Sequence, residues 1–204
     1  MKIGVFGGTF DPVHLAHLII AEQCREQASL DQVWFVPSAR PPHKSEREIS
    51  AFDRRSDMIQ LAIAGQPAFR VNELEKDRPG PSYTADTLDE LHRANPGAEF
   101  YLILGSDCLP DLPGWHDPVR IVKQAALLVA ARPGWAVWSA EQLRTALKLP
   151  DDVPLQMQII SIPLIDIASR DLRRRAAEGK SIRYFVPAAV AAYIADKGMY
   201  RDSQ

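Results

Sequence analysis

The chain has only two cysteines among its 204 residues, Cys24 and Cys108, and neither sits in a paired motif. That pattern gives no Cys-rich zinc site, and it makes a reduced, cytoplasmic setting a simpler reading than a disulfide. Long apolar runs are also missing: residues 125–131 form a stretch of strand size, far short of a membrane span. Met1-Lys2 leads at once into a strand and then glycines, which does not fit a signal peptide. A large excess of either sign of charge is missing too. A formal net charge of -2 offers no bulk attraction to nucleic acid or to an anionic membrane, so any phosphate-binding charge must be local. Internal repeats and low-complexity segments are absent. What the chain does have is 46% hydrophobic residues, enough for a core without a metal or disulfide staple. Its length fits one domain, residues 1–204.

The apolar pattern alternates between strand and helix. Strands are predicted over residues 2–6, 32–36, 69–72, 100–104, 127–131 and 157–162. Helices are predicted over 15–28, 51–65, 84–94, 140–147, 169–179 and 187–197. Met58, Leu61 and Ala62 are expected on one face of the second helix, and Thr84 is the expected N-cap of the third. The polar, proline-containing stretch 38–50 reads as a loop. Such alternation predicts a Rossmann-like, doubly wound parallel sheet with helices on both faces and a C-terminal helical segment. Ligands of that fold bind beyond the carboxyl ends of the strands, so the segments after strands one, four and six come first as candidates.

After the first strand stands Gly7-Gly8-Thr9-Phe10-Asp11-Pro12-Val13-His14-Leu15-Ala16-His17. The glycines let backbone approach a phosphate, and Pro12 fixes the loop before the helix. His14 and His17 share one face at the helix start, where free N–H groups favour anions. Taken singly, either histidine is more often a satisfied core residue. Zinc needs three or four ligands, and none has matching spacing. The whole combination is more specific: Gly8-x-Phe10-x-Pro12-x-His14-x-x-His17 resembles the signature of the adenylyl/cytidylyl transferases.

That resemblance implies transfer of a nucleotidyl group without a covalent enzyme intermediate. A phosphate oxygen of the acceptor attacks the α-phosphorus of ATP and pyrophosphate leaves, with Mg²⁺ expected on the triphosphate. Positioning and charge stabilisation would carry catalysis, with His14 and His17 donating to the phosphates. Gly7, Gly8, Thr9 and Phe10 would lie along the ATP.

Three further segments narrow the resemblance. Gly105-Ser106-Asp107 is followed by Trp115-His116. A carboxylate at a strand end can accept from both ribose hydroxyls, and a loop tryptophan can stack on a ring. Alone, Asp107 could equally be a helix cap and Trp115 ordinary core. Pro81-Ser82-Tyr83-Thr84-Ala85-Asp86-Thr87-Leu88 combines a loop with a helix start able to hold a carboxylate, or is merely a capped helix. With Pro41-Pro42-His43-Lys44, these segments resemble the bacterial nicotinate-nucleotide adenylyltransferases, and the similarity runs from Lys2 to about Arg201.

By that resemblance Trp115 would stack on the pyridine ring of nicotinate mononucleotide, and Thr84 with amides near Tyr83 and His116 would hold its carboxylate. Lys44, with His43 beside it, would meet the acceptor phosphate, with Arg132 nearby. Gly105 and Asp107 would serve the ATP side. In Ala168-Ser169-Arg170-Asp171-Leu172-Arg173, Ser169 and Arg173 match the family's phosphate-binding run, while Arg170 stands where the family has Thr. Either Arg170 replaces a neutral donor with a charged one, or it points to solvent and Ser169 with the helix N–H groups suffices.

Two other readings compete. One is a sibling transferase using nicotinamide mononucleotide or another phosphate acceptor; the other is a non-catalytic nucleotide sensor on the same fold. Retention of both histidines argues against the sensor. The expected partners are the two small substrates, with no nucleic acid and no membrane. The sequence leaves a homo-oligomer open.

Overall fold

A computed structural model describes residues 1–42, 49–132 and 134–201; His43 and Lys44 lie outside the described residues. In chain order the elements are β1 (Lys2–Gly8), α1 (Leu15–Gln27), β2 (Gln32–Pro37), α2 (Phe52–Ile63), β3 (Phe69–Val71) and α3 (Thr84–Ala94). Then follow β4 (Glu99–Gly105), α4 (Pro118–Gln124), β5 (Ala125–Ala130), α5 (Ala140–Leu147), β6 (Met157–Ile160), α6 (Ser169–Ala177) and α7 (Ala188–Asp196).

The strands form one parallel sheet in the order β3-β2-β1-β4-β5-β6. The chain winds outward from β1 through β2 to β3, then returns to the other side of β1 and winds through β4 and β5 to β6. The connections after β1 and β4 therefore diverge, leaving a crevice at the carboxyl ends of those two strands.

Strict alternation divides the core between the two faces. Phe6, Val33, Phe35, Ile103 and Leu128 meet Ile20 and Cys24 of α1, Met58 and Ile59 of α2, Leu172 of α6 and Val190 of α7. Ile3, Val5, Trp34, Leu102, Leu127 and Val129 meet Leu88 of α3, Ile121 of α4 and Leu143 of α5 on the other face. Each such fully buried side chain contributes about 1.5–3 kcal/mol. Both helical layers are thus needed, because every central strand is apolar on both sides. The C-terminal helices join the first of these faces.

Three expectations change. α4 was not foreseen, since Val119, Ile121 and Val122 carry β propensity. Its start is nonetheless sharply written: Asp117 caps it, Oδ1 accepting from Arg120 N at 3.1 Å, and Pro118 occupies the first turn. The buried face of α2 consists of Arg55, Ser56, Met58 and Ile59, whereas Leu61 is exposed. Tyr83, not Thr84, occupies the cap position of α3, so Thr84 is its first helical residue.

Candidate active site

One cleft of about 1260 Å³ opens over the crevice. Single-ligand pockets run to about 300–1,000 Å³, so this one has room for two nucleotide-sized molecules side by side. Its lining brings together Gly7, Gly8, Thr9, His14, His17, Tyr83, Thr84, Gly105, Asp107, Trp115, His116, Arg132, Ser169, Arg170 and Arg173. Phe10 is not on the wall. Its ring is buried behind it, packed edge-on against Phe6 and against His17, at centroid distances of 5.4 and 5.0 Å.

The histidines sit where the loop becomes α1. His14 occupies the cap position with extended backbone, and its amide N donates to Nδ1 of His17 at 3.2 Å. When neutral, His17 therefore carries its ring proton on Nε2. The two rings stack at 3.6 Å, 20° from parallel. Burial first, and then the Arg132 guanidinium, pull the His14 pKa down to about 3. Burial, followed by His14 and Arg132, holds His17 well below its ordinary value, although the residue lines the cleft. Both shifts favour the neutral imidazole, the form in which His17 has one ring N–H to donate.

This depression has a measurable consequence. The unfolded chain takes up protons on His14 from about pH 6.5 downward, and the folded chain only near pH 3. Stability from the neutral imidazole is complete above the unfolded pKa and is lost as pH falls toward the folded one. Replacing His14 with Asn should flatten the fall in unfolding free energy between pH 6.5 and 4.5 by up to about 1.4 kcal/mol per pH unit. Urea titrations in that window check it; parallel profiles for parent and variant would contradict it.

Gly7 borders the cleft, and a Cβ built on it meets no protein atom within 4 Å. The missing side chain leaves room on the ligand side rather than for protein packing. At Gly105 a Cβ would collide with Oδ1 of Asp107 and press on the Arg132 side chain. Asp107, in the 3₁₀ turn Ser106–Cys108, is in turn ion-paired with Arg132, Oδ2 to Nη1 2.7 Å, and Arg132 N donates to Ser106 Oγ. A ribose hydroxyl on Asp107 would share it with that guanidinium.

Elsewhere on the lining the ring of Tyr83 stacks on His116 at 4.2 Å, and Trp115, half-buried, packs against the second core cluster. The segment before α3 is tied to the loop after β2 by Ser82 N to Arg40 O and Arg40 N to Ser82 Oγ. Also on the cleft lining is a residue that no motif in the sequence marks, Glu75. Glu75 is 5% exposed, accepts from Thr87 Oγ1 at 2.5 Å and from Ala39 N at 3.3 Å, and is ion-paired to Arg78.

The third wall is α6. Ser169 Oγ donates to Pro12 O at 3.0 Å, and Arg173 Nη1 donates to Asp11 O at 2.7 Å. Both residues border the cleft while bracing the loop after β1. Arg170 is exposed at the rim. Cys108 lines the cleft and Cys24 does not; burial pushes the thiols of Cys24 and Cys108 up to about 12 and 11, which favours the protonated, unreactive form.

A nucleotide-sized crevice at the switch point of a 3-2-1-4-5-6 sheet, with paired histidines at a helix start, defines a nucleotide-binding α/β protein, and the cytidylyltransferase-like family model matches residues 5–175. The protein named probable nicotinate-nucleotide adenylyltransferase in Thermomicrobium roseum is 45% identical, over 98% of this chain and 92% of its own length. One of the same name from Thermus thermophilus is 43% identical, over 98% and 100%. The chain belongs to the nicotinate-nucleotide adenylyltransferase family. Its fold superposes on Plasmodium falciparum nicotinic acid mononucleotide adenylyltransferase complexed with NaAD with a TM-score of 0.78, at 21% identity, covering 98% of this chain and 97% of that one.

Proposed function

We propose that the cleft transfers the adenylyl group of Mg-ATP to nicotinate mononucleotide, giving deamido-NAD and pyrophosphate, a step of NAD biosynthesis. The observation that carries this is one cleft whose lining joins the stacked His14–His17 pair to the Tyr83–His116 pair, Trp115 and the start of α3.

The triphosphate lies along residues 7–17, with Arg173 and Ser169 beside it and Asp107 toward the ribose. Mg²⁺ enters as part of the substrate, held by phosphate oxygens and water, a mode that demands no protein cage. Among the described residues no group of three or more His, Cys, Asp or Glu is arranged to hold a metal. The acceptor lies on the Trp115 side, its pyridine ring against the indole and its carboxylate at Thr84 and the first-turn amides of α3. Its phosphate oxygen attacks the α-phosphorus in line, the bond to the β-phosphate bridging oxygen breaks, and the electron pair leaves with pyrophosphate. His17 Nε2–H and Arg173 stabilise the negative charge that grows on the departing side. Nothing on the wall need become covalently attached.

A cytoplasmic setting forms part of the proposal, supported by two free, protonated cysteines. Among the described residues no helix is long and apolar enough to cross a membrane.

A carboxylate and a carboxamide differ by one charge, and a donor-lined pocket prefers the acid. With Mg-ATP saturating, kcat/KM for nicotinate mononucleotide should exceed that for the nicotinamide analogue at least about a hundredfold, and Trp115→Ala should raise the acceptor KM with little change in that of ATP. Equal use of the two acceptors would move the assignment to a sibling transferase.

A further inference from the structure

We propose that Arg55, Asp11 and Tyr200 are positioning residues, a buried polar clamp that sets the shape of residues 9–12 and thereby the placement of His17. Asp11 stands inside the first motif but has no role assigned there, Arg55 and Tyr200 lie outside every motif, and none of the three lines the cleft.

Arg55 is 1% exposed and Asp11 2%. A guanidinium so deeply buried would ordinarily lie against a carboxylate. Here its hydrogens go to three main-chain carbonyls instead: Nη1 to Thr9 O and Nη2 to Ser38 O at 2.8 Å, and Nε to Ser50 O at 2.9 Å. Those carbonyls belong to the loop after β1, the loop after β2 and the segment entering α2. The rigid planar fork of one side chain thus fixes three segments against each other.

Asp11 supplies the opposite charge to Arg55 through space, and its carboxylate is held independently. Tyr200 Oη donates to Oδ1 at 2.6 Å and Ser50 N donates to Oδ2 at 3.0 Å. Burial and the Asp11 charge push the Tyr200 phenol far above its usual range, so it remains a donor.

Between the two anchored residues lies Phe10, in left-handed backbone with φ 49°. Bulky L-residues avoid that region, and they keep to it only where their surroundings enforce it. Its ring is the one packed edge-on against His17. The mechanical chain therefore runs from Arg55 and Tyr200, through Thr9 O and the Asp11 carboxylate, to Phe10 and on to the imidazole. Apolar side chains of similar volume would fill the same space but leave three main-chain carbonyls and the Asp11 carboxylate without these partners; a three-carbonyl fork and a phenol–carboxylate bond also fix direction, which packing alone does not.

The inference rests on the reading that the ATP phosphates lie against residues 7–17. The test is to measure Mg-ATP affinity by calorimetry, without acceptor, for the wild type, Tyr200→Phe, Arg55→Lys and Arg55→Met, and then kcat and both KM values. Tyr200→Phe removes one hydroxyl and should raise the Mg-ATP Kd and lower kcat, each by about three- to tenfold, with the acceptor KM unchanged within about twofold. Arg55→Lys should not rescue Arg55→Met, because one ammonium cannot reach three divergent carbonyls. A purely structural role lowers the folded fraction, and with it kcat, but leaves the Kd and KM of the surviving molecules untouched. That pattern, or wild-type constants in Tyr200→Phe, overturns the inference. A wild type that fails to bind Mg-ATP overturns the reading and the inference together, whereas a wild type that binds and variants that bind equally well overturn the inference alone.

Discussion

Replacing His17 with Asn should lower kcat by about 10²–10³-fold while the protein melts as before. His17 Nδ1 accepts the His14 amide hydrogen, so its one ring proton sits on Nε2, and the residue lines the cleft. A side chain of Asn can still accept that amide hydrogen, preserving the start of α1, but it cannot extend a donor to where the imidazole edge lies. The lost donor acts on charge that grows only as pyrophosphate departs, so the loss should appear in kcat more than in either KM. His17→Ala should lose as much activity and, with the His14 amide unpaired, about 1 kcal/mol of stability besides. Steady-state kinetics with thermal melts decides it: near-normal turnover in the folded variants would remove His17 from the chemistry.

Arg173→Met should cost a comparable factor, about 10²–10³ in kcat/KM for ATP, for two reasons that add. The variant loses a cation beside the triphosphate, and it loses the Nη1 bond to Asp11 O that braces the loop from the α6 side. Arg173→Lys separates them. One ammonium can answer either the carbonyl or the phosphate, but not both, so lysine should recover only part of the activity. Full recovery by lysine would mean that charge alone matters and the loop contact is idle. Unchanged kinetics in Arg173→Met would remove α6 from the site.

The histidines to which the proposal gives the chemistry stood out in the sequence because they lie close together and carry an unusual type. His14 and His17 announce a helix start between glycines and an apolar stripe, and the strand–helix alternation that led there gave a doubly wound sheet. The residues that hold the site in shape were not readable. Asp11 and Tyr200 meet across 189 positions, a pairing that no local pattern encodes. Arg55 left a trace, three residues before Met58 on what should have been an apolar face. Taking Leu61 as core shifted that face and hid it. α4 had no predicted element: it is only seven residues long and rich in β-branched types, although Asp117-Pro118 is a helix-start pair. Glu75 was lost in a charged, Pro/Gly-rich connection, although it is buried by the loop that follows β2.

These silent residues alter how the opening loop should be viewed. Residues 9–12 are held by α2, α6 and the chain beyond α7 together, so the histidines stand on a frame assembled from most of the chain. Such rigidity suits a reaction whose barrier is lowered by fixed donors rather than by a nucleophile.

The most direct test follows the adenylyl group itself. With ATP labelled in the α-phosphate, magnesium and nicotinate mononucleotide, label should pass in full into a deamido-NAD-sized product while unlabelled pyrophosphate accumulates in equal amount. Label released as free AMP, or retained in ADP while phosphate is freed, would contradict adenylyl transfer at this cleft.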